Sequence, residues 1–79
     1  MHFVYILESK SSSGRYYVGL TTDVQRRVNE HNQGKSIHTA RHGPWKLAAY
    51  IAFENRSKAF KFERYLKTGS GRAFAKRHF

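Results

Sequence analysis

The stretch YYVGLTTDVQRRVNEHN, residues 16–32, decides how this chain is read. Its first half alternates as a β-strand does, and with Arg15 it reads as a strand over residues 15–21. Its second half changes period. Thr22 and Gln25 stand in capping-box spacing, and a helix runs from there to about Asn32 before Gly34 stops it. On that helix Val24, Arg27, Val28 and His31 fall at i, i+3, i+4 and i+7 and share one face, while Gln25, Arg26 and Asn29 look away. An arginine on a packing stripe needs a partner, because burying an unpaired charge is costly. Glu30 offers one to Arg27 at i+3, and equally to Arg26 at i+4 on the exposed side. The stripe itself directs Arg27 towards the sheet.

Working outward, residues 2–8 (HFVYILE) read as a first strand and SKSSSG as a turn-rich connector, so the two strands form a hairpin with a longer loop. A register placing Tyr5 opposite Tyr17 would centre the ladder on Ser11. It puts Val4, Ile6, Tyr16, Val18 and Leu20 on one well-packed face. Tyr5 and Tyr17 fall on the other, with the side-chain-free Gly19 leaving space beside them. After a polar loop, residues 45–53 (WKLAAYIAF) read as a third strand. Asn55 or Ser57 caps a second helix through Lys67, Gly69 ends it, and Ser70 starts a short last helix. The expected fold is α/β, a small three-stranded antiparallel sheet flanked by helices in the order β-β-α-β-α-α, with residues 1–79 as a single domain.

Composition narrows the function. With no cysteine, disulfides, thiolate nucleophiles and Cys-rich zinc sites are excluded, so the core rests on six Phe, five Tyr, one Trp and the aliphatics. No apolar run long enough to span a bilayer and no signal-peptide pattern is present, which makes a cytoplasmic protein the expectation. Fifteen Lys and Arg against five Asp and Glu give a formal charge of +10. From Arg56 to Arg77 there are eight basic residues and a single acid, Glu63. Basic residues interleaved with aromatics point to nucleic acid. A membrane surface fits less well, since no long basic amphipathic helix stands apart from the fold.

That single acid is placed unusually. Ala59, Phe62, Glu63 and Leu66 share the apolar face of the second helix, while Lys61, Arg64 and Tyr65 look outward. A surface pair with Lys67 at i+4 would account for Glu63 at ~0.2–0.5 kcal/mol. A lone inward carboxylate on a basic, phosphate-binding protein is better explained as a metal ligand. Mg²⁺ commonly takes one or two carboxylates and completes its shell with water and phosphate oxygens.

Two tyrosines, an arginine, a histidine and one carboxylate in this order resemble the GIY-YIG endonuclease superfamily, over nearly the whole chain. The two triplets of the family name match Phe3-Val4-Tyr5 and Tyr17-Val18-Gly19. The family's helix arginine matches Arg27, the histidine-or-tyrosine position one turn later matches His31, and the metal-binding glutamate matches Glu63. The resemblance implies metal-dependent hydrolysis of DNA phosphodiester bonds, with Mg²⁺ or Mn²⁺ on Glu63 and no small-molecule cofactor. It makes Tyr5, Tyr17, Arg27, His31 and Glu63 the catalytic set, one tyrosine assisting a water nucleophile and Arg27 stabilising charge on the phosphate. Leu20 stands where excision-repair members carry a lysine, and no asparagine follows Asn55 although members often place one in the last helix. Those departures keep open the alternative of a nucleic-acid-binding module with weak or no turnover. His38 and His42 have ligand-like spacing without a third ligand, and TGSGR (68–72) reads as an interhelical turn.

Overall fold

Val4, Tyr5, Ile6 and Leu7 are buried without a break, the pattern of a strand covered on both faces. Their strand, β1 (His2–Ser9), is indeed the middle one of a three-stranded antiparallel sheet ordered β2-β1-β3, with β2 at Tyr16–Thr21 and β3 at Trp45–Phe53. The computed structural model describes residues 1–79. Three helices complete it: α1 (Val24–Asn32), α2 (Arg56–Leu66) and α3 (Gly69–His78), with a single 3-10 turn at Ala40–His42 before β3. No helix is long and apolar enough to cross a membrane.

The hairpin register differs from the one read in the sequence. Tyr5 faces Gly19, and Tyr17 faces Leu7. The shift is by two residues, so each side chain keeps its face, because strand side chains alternate with period two. The space at Gly19 is accordingly filled: a Cβ there would overlap the Tyr5 ring and hydroxyl. The connector explains the shift. Ser9 Oγ accepts from the backbone N–H of Ser11 (3.2 Å) and Ser12 (2.9 Å) and donates to the His42 carbonyl (2.6 Å), while Ser9 N–H bonds Arg15 O. Side-chain bonding of this kind fixes where the turn begins, which alternation alone does not specify.

The sheet separates two cores. On one face Val4 and Ile6 pack with Ala59 and Leu66 of α2, flanked by Val18, Leu20, Phe53, Phe62 and Phe74. On the other, Tyr5, Leu7 and Trp45 pack with Tyr17 and with Val24 and Val28 of α1. Full burial of an aliphatic side chain such as Leu66 contributes about 1.5–3 kcal/mol, so both faces are needed to hold so short a chain. Tyr16 does not join the first core as expected. It is exposed at the sheet edge, its hydroxyl 3.4 Å from Glu8.

The helix ends also move slightly. Asp23, not Thr22, caps α1, its carboxylate accepting from Arg26 N–H at 3.1 Å, while Thr21 Oγ1 takes the Asp23 N–H. Gly34 adopts φ +75° just beyond α1, where a Cβ would be strained. Asn55 caps α2 as read. Thr68 caps α3, accepting from Gly71 N–H, so Gly69 opens the last helix rather than merely ending α2.

Candidate active site

Four of the five sequence-selected residues meet on the α1 face. Tyr5 comes from β1, Tyr17 from β2, and Arg27 and His31 from successive turns of α1. The Tyr5 hydroxyl lies 2.8 Å from His31 Nε2, and the Tyr17 ring lies 4.9 Å from the imidazole, centroid to centroid. Tyr5 and His31 are each 1% exposed, whereas Tyr17 and Arg27 are half-buried. The site is therefore a buried pair under a partly open rim.

The hydrogen bonds run in one direction. The Ser36 carbonyl only accepts, so the Thr39 hydroxyl, 3.5 Å away, donates to it. Thr39 Oγ1 then accepts from His31 Nδ1–H at 2.7 Å, which leaves Nε2 with the lone pair that accepts the Tyr5 proton. Thr39 is itself wholly buried, and its carbonyl takes the Trp45 indole N–H at 2.8 Å. The Asn32 side chain fastens the end of α1 to β3 by bonding both the N–H and the C=O of Trp45. Neither Thr39 nor Asn32 was singled out by the sequence. Their partners lie in a loop and across a sheet, where no periodic signal reaches.

Charge completes the rim. Arg27 Nη1 donates to Glu30 Oε1 at 2.7 Å, while Arg26 reaches the same carboxylate only at 3.9 Å. Glu30 is thus chiefly the partner of Arg27, and the Arg27 bond holds its carboxyl below the usual range. Burial pushes the Tyr5 hydroxyl up, with the nearby Arg27 guanidinium opposing. Burial, and then the Arg27 charge, push His31 down. At neutral pH the site therefore holds a protonated tyrosine, a neutral imidazole accepting its hydrogen bond, and the Arg27 cation nearby.

The depressed His31 has a consequence for stability. An unfolded histidine titrates near ~6.5, and the native state binds that proton less readily. Stability is thus fully present above that pH and is lost as pH falls from there towards the lower folded value. Melting temperatures should drop across this window, and the drop should be smaller in His31→Gln. His42 is also depressed and keeps its share in both proteins. An unchanged pH dependence in the variant would show that His31 is not held neutral.

Glu63 is not brought into this group. It lies on the stripe of α2 that packs against the Val4–Ile6 face, across the sheet from Tyr5, and its carboxylate pairs with Lys67 Nζ at 2.6 Å. It is only 8% exposed. Nowhere do three or more acids or histidines converge as a ligand cluster. His38 is exposed in its loop, and His42 faces Ser12 rather than a second histidine.

Paired tyrosines on one sheet face meet a helix that carries arginine and histidine, and comparison with known proteins assigns the chain to a family. The family model described as the GIY-YIG catalytic domain matches residues 1–77, and the chain belongs to this family. It is 43% identical to UPF0213 protein BH0048 of Halalkalibacterium halodurans over 67 residues, covering 84% of this chain and 69% of that protein. It is 44% identical over 68 residues to UPF0213 protein VNG_2274C of Halobacterium salinarum, covering 85% and 86% respectively. A structure-specific endonuclease subunit SLX1 homolog of Giardia intestinalis is 36% identical over 62 residues, which span 73% of this chain but 17% of that protein. The solution NMR structure of BH0048 superposes with a TM-score of 0.57 at 41% identity, covering 95% of this chain and 79% of the other.

Proposed function

We propose that this chain is a divalent-metal-dependent endonuclease that hydrolyses DNA phosphodiester bonds through the Tyr5–Tyr17–Arg27–His31 cluster. The observation that carries the reading is the buried 2.8 Å bond from the Tyr5 hydroxyl to His31 Nε2. A core tyrosine needs only some partner, whereas this one faces a neutral base that is itself oriented by Thr39.

In this reading Tyr17, half-exposed beside the imidazole, orients a water at the rim. Tyr5 takes the proton of that water while handing its own to His31 Nε2. The oxygen attacks phosphorus, the P–O bond to the leaving sugar oxygen breaks, and that oxygen takes a proton from solvent. Because the Tyr5 pKa is raised, the hydroxyl cannot wait as a phenolate, so both proton movements must be coupled. Arg27 exchanges Glu30 for phosphate oxygens, its planar fork suiting either. His31 returns its proton to solvent through the same hydroxyl.

The donor chemistry of Glu63 fits Mg²⁺ or Mn²⁺. It is one hard oxygen ligand, largely shielded from solvent, and the Lys67 ammonium that competes for it is 47% exposed. A cation held by one carboxylate completes its shell with water and substrate phosphate. When bound it would neutralise phosphate charge on its own face of the sheet.

The second reading, a binding module without turnover, is favoured by one observation. Glu63 sits across the sheet with Lys67 already on its carboxylate. The two part in a simple assay on single-stranded, duplex and branched DNA. Cleavage with Mg²⁺ or Mn²⁺ that stops with chelator is the expected result. Tight binding with no cleavage under any metal would establish the module.

A further inference from the structure

A second surface lies on the sheet face opposite Tyr5 and reaches Tyr17 at its border. Between the β1–β2 loop and α3 a cleft of about 940 Å³ opens over the sheet. Arg72, Ala75 and Lys76 line it from one stripe of α3, and Phe79 lines it from just beyond the helix end. Arg15 and Tyr16 line the opposite wall, and Lys67 closes the end beside α2. Arg15, Arg72 and Lys76 meet no acid in the lining, Lys67 is already paired with Glu63, and the floor is the apolar edge of the core. Tyr16 and Phe79 are 56% and 51% exposed, so each leaves ring surface open to a ligand.

We propose that this cleft is a docking groove for an unpaired nucleic-acid strand, with Arg15, Arg72 and Lys76 on the phosphates and Tyr16 and Phe79 stacking on bases. Cationic walls combined with exposed rings are what single strands require, since every base has a π-face and every linkage a charge. A duplex keeps its bases stacked inside and would leave the rings unused. An acidic peptide would satisfy the cations but has no planar groups for the rings. The inference uses the nucleic-acid partner proposed above but none of its chemistry.

The test is binding without metal. Fluorescence anisotropy of a labelled oligothymidylate, titrated in chelator across salt concentrations, should show the native protein preferring it to a hairpin duplex of equal length. Arg72→Gln with Lys76→Gln should lower the slope of log K against log salt by about 1.4, at ~0.7 per phosphate contact to a single strand. Tyr16→Leu, on an exposed site that leaves the fold intact, should weaken binding by about 5- to 150-fold, the loss typical of one stacked base. Photocrosslinking of an iodouracil oligonucleotide should map to Tyr16 or Phe79. Unchanged slope and affinity in both variants, equal binding of duplex, or binding of poly-glutamate but no oligonucleotide would each overturn the groove. Cleavage by the native protein alongside such results would leave the nuclease reading standing. Groove-dependent binding with no cleavage under any metal would leave the groove standing alone.

Discussion

Glu63→Gln should abolish metal-dependent cleavage while the protein stays folded and keeps its affinity for DNA. The substitution preserves shape and one oxygen and removes only the charge that a hard cation requires. Its structural cost is small. The bond it weakens is an i,i+4 pair to a half-exposed lysine, of a kind worth about 0.2–0.5 kcal/mol. The position of Glu63 makes the experiment sharp, because the carboxylate rises from the face opposite the tyrosines and already has a protein partner. Lys67→Ala separates the possibilities. If Glu63 serves only Lys67, both variants should shift the melting temperature alike and leave cleavage untouched. If Glu63 holds the cation, Lys67→Ala should retain metal-dependent turnover, and only Glu63→Gln should lose it. Full cleavage by folded Glu63→Gln would remove this residue from the metal site.

The contrast between Glu63 and the other four residues shows how far periodicity carries. Alternation put Tyr5 and Tyr17 on one strand face, and the 3.6-residue period put Arg27 and His31 on one helix stripe. The structure joins those two surfaces because Val24 and Val28, on the same stripe, pack beneath Tyr5 and Leu7. The even period also protected the face assignment from the wrong hairpin register. For Glu63 the stripe was right, with Ala59 and Leu66 buried beside it. Which sheet face that stripe would cover was not legible, because it depends on how β3 leads into α2. Thr39 and Asn32 were invisible for a related reason. Asn32 acts through two hydrogen bonds to Trp45, and Thr39 joins its loop to His31 and Trp45; such bonds leave no repeating mark on the sequence.

Tyr5→Phe and Tyr17→Phe should both slow cleavage, and unequally. Each removes one hydroxyl and keeps the ring, so the packing around Leu7, Trp45 and Val28 survives. Loss of the Tyr5 hydroxyl strands His31 Nε2 in a site that is 1% exposed, which costs about 1–3 kcal/mol for a buried group left without its partner. Some fall in melting temperature therefore belongs to Tyr5→Phe under any reading, and rate must be the discriminating quantity. As the proton carrier, Tyr5 should cost ~10²–10⁴-fold in single-turnover rate, the range of general acid–base catalysis. Tyr17, which only orients water, should cost less and barely alter the melt. The pH profile separates a relay from mere support. In the native protein the rate should fall on the acid side only as His31 takes up a proton, below the ordinary histidine value because burial and Arg27 disfavour its charge. That limb should vanish in Tyr5→Phe, since no proton then passes to the imidazole, and persist in Tyr17→Phe. Two variants with equal, small rate losses and the acid limb intact in both would mean that the hydroxyls merely complete the core.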